Sequence, residues 1–164
     1  MWATIVDELN GSFSTVPPVV AFIRLMLAAI LGGIVGWERE RSDKPAGLRT
    51  HMLVSIAACL FIVVGAQLST IDFLSAGGGD GELRVDPLRL IEAVTAGVAF
   101  LAAGIIFTSG GQVRNITTGA SLWLCGAIGL ACGAGQIPLA AMATVIVSVV
   151  VGVIGRIEDA RSSD

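Results

Sequence analysis

The sequence predicts an all-α, polytopic membrane protein whose five transmembrane helices form a bundle. Residues 115–155 hold 41 consecutive positions without a charged side chain. An apolar helix crosses the hydrocarbon core in about 20 residues, so this stretch has room for two crossings and a turn. Residues 50–71 and 93–113 also lack Asp, Glu, Lys and Arg, and each is long enough for one crossing. The composition agrees, because 54% of the residues are hydrophobic and 14% are charged, as is typical of integral membrane proteins.

The first two helices are predicted over residues 19–37 and 48–68. Pro17 and Pro18 stand directly before the first helix, where the missing amide hydrogen of proline costs no hydrogen bond. Residues 45–47, Pro-Ala-Gly, are typical of a turn and separate the two helices. The second helix then coincides with the first of the shorter uncharged stretches.

The remaining three helices are predicted over residues 88–107, 117–134 and 137–154. Pro87 precedes the third helix in the same way that Pro18 precedes the first. The fourth and fifth helices divide the 41-residue stretch between them. Turn-forming residues lie near its middle: Gly133, Gly135 and Pro138.

The distribution of Lys and Arg predicts the orientation of the bundle. The loop after the first helix, the loop after the third and the C-terminal tail contain seven of them: Arg39, Arg41, Lys44, Arg49, Arg114, Arg156 and Arg161. The opposite side has three: Arg24, Arg84 and Arg89. Because Lys and Arg collect on the cytoplasmic side, we expect the N-terminus outside and the C-terminus in the cytoplasm. Residues 1–18 are then an extracytoplasmic segment, residues 19–155 the membrane domain and residues 156–164 a short cytoplasmic tail.

Pairs of glycines predict where the helices pack closely. Lipid is as apolar as Leu, so transmembrane helices associate through small residues that let their backbones approach. Residues four or seven positions apart share a helix face. Three glycine pairs have this spacing: Gly32 with Gly36, Gly97 with Gly104, and Gly129 with Gly133. These faces favour packing within one chain or a homodimer, and the sequence leaves both open.

Two charged residues, Arg24 and Glu92, lie inside predicted helices at matching depth. Both helices begin on the predicted outer side, and at about 1.5 Å per residue each charge lies roughly 6–8 Å into its helix. Opposite charges at one depth predict an ion pair, within one protomer or across a dimer. The alternative is that each side chain reaches the membrane interface separately.

The predicted cytoplasmic end carries charges of alternating sign. Residues 38–51 contain eight ionisable side chains, and Arg114 arrives from the next loop. Alternating signs favour charge-assisted hydrogen bonds, with Glu38 bonded to Arg49 or Arg114. Charge that merely flanks the membrane is the alternative, and it explains the carboxylates poorly. We expect His51 to be a hydrogen-bonded structural residue.

Several classes of function lack support in the sequence. Nucleophile, phosphate-loop and zinc motifs are absent, so we expect no catalytic residue, no metal, no cofactor and no enzymatic activity. No basic tract suits a nucleic acid.

Loop 69–86 holds four acids and is expected to be flexible, a cation site being the alternative. Polar residues are sparse at mid-depth, which disfavours an ion pathway. The three cysteines lie in apolar segments and are expected to be packing residues: Cys59, Cys125 and Cys132.

Four segments together resemble the MgtC/SapB family of bacterial membrane proteins. They are GGIVGWERE at residues 32–40, AGLRTH at residues 46–51, FLAAGII at residues 100–106 and VRNITTGASLW at residues 113–123. The last two are similar to the family patterns GxGFLGAGxI and VRGLTTAAxLW. The likeness extends in order over residues 20–155. It departs from the family at Asn115, where the pattern has glycine, and around the third helix, where some small residues are alanine.

The resemblance implies a non-enzymatic, multi-pass protein of the bacterial inner (cytoplasmic) membrane. Family members are associated with growth at low magnesium, with survival inside macrophages and with virulence. They act by binding other integral membrane proteins, including the membrane sector of ATP synthase and a magnesium-transport ATPase. A small cation transporter or channel subunit is the alternative. The expected partners are therefore membrane lipid, other membrane proteins and, as one option, a second copy of the chain.

The resemblance also implies which residues carry the function. Many members have a soluble domain after the fifth helix, whose function we expect to be absent here or supplied elsewhere. The residues carried over by motif form a cytoplasmic-face group: Glu38, Arg39, Arg49, Thr50, His51, Arg114, Asn115, Thr117 and Thr118.

Overall fold

Five α-helices and one β-hairpin build the described part of the chain, which in this computed structural model comprises residues 1–2, 13, 15–69 and 86–154. In chain order they are α1 Pro18–Arg41, α2 Leu48–Leu68, α3 Pro87–Ile105, β1 Phe107–Ser109, β2 Gln112–Arg114, α4 Ile116–Gly133 and α5 Ile137–Val149. A π-helical turn, Val150–Ile154, continues α5. By length and composition, α1 to α4 are each able to cross a membrane. The predicted all-α bundle of five helices is confirmed.

Some predictions about the ends and the loops remain predictions. The orientation of the bundle and the proposed division into residues 1–18, 19–155 and 156–164 are among them. Most of the acidic loop 69–86 and the whole C-terminal tail lie outside the described residues.

Helix α1 is longer than predicted, because it continues through the charged residues 38–41. Arg39 and Arg41 occupy its last turn, where positive charge interacts favourably with the carbonyl end of the helix dipole. The extension carries Glu38 and Arg39 on a regular helix and fixes their directions relative to the bundle.

A two-stranded hairpin joins α3 to α4, where the sequence predicts only a loop. Phe107 pairs with Arg114, and Ser109 pairs with Gln112. The two residues between the strands, Gly110 and Gly111, have φ values of +60° and +79°. A two-residue hairpin turn of this kind needs positive φ at both positions, which glycine adopts without strain.

Asn115 follows the hairpin and begins α4 in a left-handed conformation, with φ +65°. This conformation explains why the family pattern has glycine at the same place, since glycine adopts it most easily and Asn tolerates it better than most residues. The Asn115 amide also donates to the carbonyl oxygen of Ile105 at 3.2 Å, so the side chain ties the start of α4 to the end of α3.

Helices α1 and α2 pack at close range through glycine. A Cβ atom at Gly32 would lie 2.7 Å from the Cβ of Ser55, and one at Gly36 would lie 2.8 Å from the Cβ of His51. Real Cβ atoms essentially never come this close to a neighbour. The two helices therefore approach as near as their backbones allow, which maximises the dispersion contacts that hold helices together in lipid.

Helix α4 lies at the centre of the bundle, in contact with each of the other four helices. Its Gly129 faces the Ser55 carbonyl oxygen, and a Cβ atom at Gly133 would lie 2.6 Å from the carbonyl oxygen of Cys59. In the most apolar 18-residue stretch of α4, 56% of the residues are buried, against 39% in the corresponding stretches of α1 and α2. Glycine thus brings both α1 and α4 against the same helix, α2.

Helix α3 is the least enclosed of the four long helices, with 17% of the residues in its corresponding stretch buried. Gly97 and Gly104 differ from the expectation that they pack against a neighbour, because no heavy atom lies within 4 Å of a Cβ atom built at either. The residues of α3 that do turn inward are Val94, Val98 and Ala102. The seven-residue spacing places Gly97 and Gly104 on one face of α3, but the buried face of α3 is a different one.

Candidate functional site

Buried polar side chains collect at one end of the bundle, where α1 ends and α2 and α4 begin. We call Glu38, Arg39, His51, Thr118 and Ser121 the polar cluster. Arg39 is 4% exposed, and the side chains from α2 and α4 are exposed by 2% or less. Burying a guanidinium and an imidazole is costly unless hydrogen bonds replace their contacts with water.

Arg39 connects α1 to α4. Its Nη2 donates to the Thr118 hydroxyl at 3.2 Å, whereas its Nε is buried and has no hydrogen-bond partner in the described residues. Arg39 occupies this position because it lies on the same face of α1 as Gly32 and Gly36, at spacings of seven and three. That face is the one that packs inward.

His51 connects α2 to α4. Its Nδ1 lies 2.8 Å from the Gly47 carbonyl oxygen; because a carbonyl oxygen only accepts, Nδ1 carries a proton. Its Nε2 lies 3.0 Å from the Ser121 hydroxyl, which also lies 2.9 Å from the Thr118 carbonyl oxygen. The Ser121 hydroxyl has one proton and can donate it to either neighbour. In the structure His51 is buried and hydrogen-bonded, as expected from the sequence.

Glu38 has a different neighbourhood from the one predicted. Its Oε1 accepts from the Ser42 hydroxyl at 3.1 Å, one turn along the same helix. Its Oε2 is buried without a hydrogen-bond partner among the described residues, and so is the hydroxyl of Ser148 on α5. Gly152 of the π-helical turn lies against Glu38, with a Cβ atom there 3.5 Å from Cγ. π-Helical turns often occur at functional sites.

The predicted hydrogen bond from Glu38 to Arg49 or Arg114 is wrong, because both arginine side chains point away from the interior of the bundle. The inward face of α2 begins with His51, and Arg49, two positions earlier, points to the other side of the helix. Arg114 lies in β2, outside the bundle, and its side chain is exposed.

The carried-over residues thus divide into two groups. The polar cluster contains the buried Arg39, His51 and Thr118 and the half-buried Glu38. Arg49, Thr50, Arg114 and Thr117 are exposed around the same end of the bundle, and Asn115 is half-buried beside them. We call these exposed residues the rim. The cluster stabilises three helices against one another, and the rim is the part that another molecule can reach.

Two members of this end of the bundle were not predicted. Ser121 follows Thr118 by three positions and so shares its helix face, a spacing that could have identified it. Glu40 accepts from the backbone N–H of Leu48 at 2.8 Å, and it thereby supplies the first turn of α2 with a side-chain acceptor. No local pattern signals Glu40, because its contact depends on the turn that brings α1 back to α2.

At the opposite end of the bundle, Arg24 is bonded to backbone. Its Nη1 donates to the Gly133 carbonyl oxygen at 2.7 Å, and a Cβ atom at Gly135 would lie 2.7 Å from Nη2. The last carbonyls of a helix lack intrahelical partners, so Arg24 caps α4. Glu92 is exposed on α3, and in the described part of the chain no ion pair joins it to Arg24. The predicted pair is therefore not formed within one protomer.

The polar cluster is not built like a metal centre. Within the described residues, no group of three or more His, Cys, Asp or Glu side chains could hold a metal ion. Glu38 offers a free carboxylate oxygen, but the guanidinium of the neighbouring Arg39 opposes a cation there. The arrangement suits hydrogen bonding between helices and, at the unpaired oxygen, a small polar molecule such as water.

The similarity to known proteins extends over most of the described bundle. The chain matches the MgtC family over residues 25–160. It is 42% identical to Protein MgtC of Brucella abortus over 120 residues, which are 73% of this chain and 45% of that protein. It is 37% identical to "Putative magnesium transporter YhiD" of Escherichia coli over 131 residues, 80% of this chain and 59% of that protein. It is 34% identical to Protein MgtC of Salmonella typhimurium over 125 residues, 76% of this chain and 48% of that protein.

The chain spans about half the length of the curated relatives it matches. No solved structure matches it.

Proposed function

This chain belongs to the MgtC family of membrane proteins, and we propose that it is a non-enzymatic regulator that binds other integral membrane proteins. The proposed location is the bacterial inner membrane. A link to magnesium is supported by the name of the Escherichia coli relative, "Putative magnesium transporter YhiD". The ATP synthase membrane sector and a magnesium-transport ATPase, which the family resemblance implies, are the proposed partners.

The observation that carries this proposal is the placement of polar groups at the ends of the helices. Arg39, His51, Thr118 and Ser121 lie at one end, and Arg24 lies at the other. Between them, the fully buried polar side chains are uncharged: Thr144 donates to the Ala140 carbonyl oxygen of its own helix at 2.8 Å, and the Ser55 hydroxyl has no hydrogen-bond partner in the described residues. An ion pathway normally has acidic residues or broken helices at mid-depth, and the described residues offer neither there.

The rim supports a binding role at the end that holds the polar cluster. Arg49, Thr50, Arg114 and Thr117 are exposed there, while the buried cluster holds the starts of α2 and α4 in place beneath them. Exposed arginines suit acidic or carbonyl groups on a partner, because the guanidinium donates two parallel hydrogen bonds. The cluster contributes rigidity and the rim contributes contacts.

Co-purification from mild detergent tests the proposal. The tagged wild-type chain is expected to retain a specific integral membrane protein. Arg49→Glu with Arg114→Glu reverses two charges of the rim and is expected to abolish that retention. Arg41→Glu with Lys44→Glu makes the same charge change at exposed positions nearby and serves as the matched control. Retention of the same protein by all three, or of none by the wild type, would contradict the proposal.

A small cation transporter or channel subunit is the second candidate, and one observation favours it. The Oε2 atom of Glu38 is buried without a partner in the described residues, and unpaired intramembrane carboxylates often mark ion routes. Magnesium flux into proteoliposomes that contain only this protein decides between the candidates. Flux above background that is lost in Glu38→Gln or Glu92→Gln would favour transport, and absence of flux with intact partner binding would favour regulation.

A further inference from the structure

Helix α3 has an outer face that no other element of the described chain covers. Its inward residues are Val94, Val98 and Ala102. At 100° per residue, the opposite side carries Arg89, Glu92, Ala93, Ala96, Phe100 and Ala103, and all six are exposed. We call these six residues the α3 outer face.

On the α3 outer face, one large side chain projects between two small ones. Phe100 is 81% exposed, and Ala96 and Ala103 lie on either side of it, one turn away in each direction. A large aromatic side chain between small ones suits a second identical face, because each Phe can pack over the partner's alanines. A two-fold symmetric interface requires such self-complementarity.

The charges on the face are self-complementary as well. Arg89 and Glu92 are three positions apart, so both point to the same side of α3. Both are exposed, and the structure gives neither an ion-pair partner among the residues it describes. Glu92 is the sixth residue of α3, roughly 7.5 Å along the helix axis, where a carboxylate facing lipid is costly.

A second copy of the chain satisfies both charges at once. Two copies in one membrane share the same orientation, so their α3 helices can meet side by side around a two-fold axis along the bilayer normal. Arg89 of one copy is then offset from Glu92 of the other by three residues, about 4.5 Å, which the long Arg side chain spans. Because of the two-fold symmetry, the Arg89–Glu92 pair between copies forms twice.

We propose that the chain forms a parallel homodimer through the α3 outer face, with reciprocal Arg89–Glu92 pairs between copies and Phe100 of each copy packed against Ala96 and Ala103 of the other. Arg24 takes no part, because it caps α4 within its own chain. The dimer does not depend on the regulatory function proposed above, since it needs no other protein.

Charge reversal in purified protein tests the reciprocal pairs. Donor- and acceptor-labelled chains are mixed in liposomes at a series of protein-to-lipid ratios, and energy transfer reports the dimer fraction. Arg89→Glu alone and Glu92→Arg alone each place like charges opposite one another and are expected to raise the dissociation constant roughly tenfold. The double reversal, Arg89→Glu with Glu92→Arg, restores opposite signs and is expected to return it to within about threefold of wild type. Arg41→Glu, a charge reversal at an exposed position at the other end of the bundle, is the matched control and is expected to have no effect.

Site-specific crosslinking tests the face itself. The native cysteines are fully buried and do not compete. Ala96→Cys is expected to give a disulfide-linked dimer in native membranes, whereas Met142→Cys, an exposed position on α5, is expected to remain monomeric. Equal crosslinking at both positions, failure of the double reversal to restore the dimer, or crosslinking of Ala96→Cys to a different protein would overturn the proposal. Because the liposome measurement contains no other protein, its failure leaves the co-purification result for the regulatory function unaffected.

Discussion

Exchanging Gly36 for alanine tests how closely α1 and α2 pack, and the same exchange at Gly97 provides a matched control. A Cβ atom at Gly36 would lie 2.8 Å from the Cβ of His51 and also 2.8 Å from the Cα of Leu48. Ordinary van der Waals contact begins at 3.4 Å, so the two helices must separate by about 0.6 Å at this point. At Gly97 no heavy atom lies within 4 Å of the added methyl group.

The size of the effect follows from three contributions. Forcing a methyl group into a packed interface costs about 1–3 kcal/mol. The clash is also with the Cβ of His51 itself, so a shift of the His51 ring that breaks its 3.0 Å contact with Ser121 would cost about 1 kcal/mol more. The higher helix propensity of alanine returns up to about 1 kcal/mol. We therefore expect Gly36→Ala to lower the free energy of unfolding by about 1–3 kcal/mol, and Gly97→Ala to leave it unchanged or raise it by up to about 1 kcal/mol.

The assay is equilibrium unfolding of the purified protein in mixed micelles, by titration with a denaturing detergent and with circular dichroism as the readout. Wild type, Gly36→Ala and Gly97→Ala are compared at one protein-to-detergent ratio, low enough that chains occupy separate micelles. If Gly36→Ala is as stable as wild type, or if both variants lose the same free energy, the description of the α1–α2 contact is incorrect.

Three further predictions concern single side chains. Arg24→Leu removes the donor to the last turn of α4 and is expected to lower the free energy of unfolding by about 1–3 kcal/mol. Glu92→Leu is expected to leave the stability of the monomer unchanged. The same detergent titration on both single variants and on the double variant would reveal any coupling between the two residues. Glu40→Ala removes the acceptor for the Leu48 N–H and is expected to cost about 0.5–2 kcal/mol, whereas Glu40→Gln, which keeps a side-chain oxygen, should lose less in that titration. Asn115→Gly relieves a left-handed residue but also removes the amide donor to the Ile105 carbonyl oxygen, so the two effects are expected to offset one another and leave stability close to wild type. Asn115→Val loses the same donor and adds the left-handed strain, which should cost about 1–2 kcal/mol more than Asn115→Gly; equal thermal unfolding midpoints of the two variants would contradict the left-handed assignment.

The helices could be predicted from the sequence because lipid imposes a simple requirement. A segment in the hydrocarbon core must satisfy its own backbone hydrogen bonds and carry few charges, so long uncharged stretches translate directly into helices. The helix ends are less regular. Arg39 and Arg41 extend α1 because their side chains suit the last turn of a helix, and the hairpin at Gly110 and Gly111 forms within a loop short enough to be overlooked.

The composition of the candidate site was harder to predict than its location. The sequence places charges at one end of the bundle, but whether a side chain is buried depends on the direction in which each helix face points. His51 and Arg49 are two positions apart, and only His51 faces α4. Similarly, the sequence shows that Arg24 lies near the start of α1, but its acceptor, the carbonyl oxygen of Gly133, is a backbone group and leaves no sign in the sequence.

The contact between α2 and α4 sets a condition on how the protein is assembled during synthesis. It joins Ser55 to Gly129 and Cys59 to Gly133, and each pair is separated by 74 positions along the chain. When residues 116–133 leave the ribosome, α1 and α2 are already complete and can form a hairpin through their own glycine contact. Until α4 arrives, the side of α2 that receives it is open to lipid. Arrival of the fourth helix must therefore displace that lipid, and this is the step at which the bundle closes.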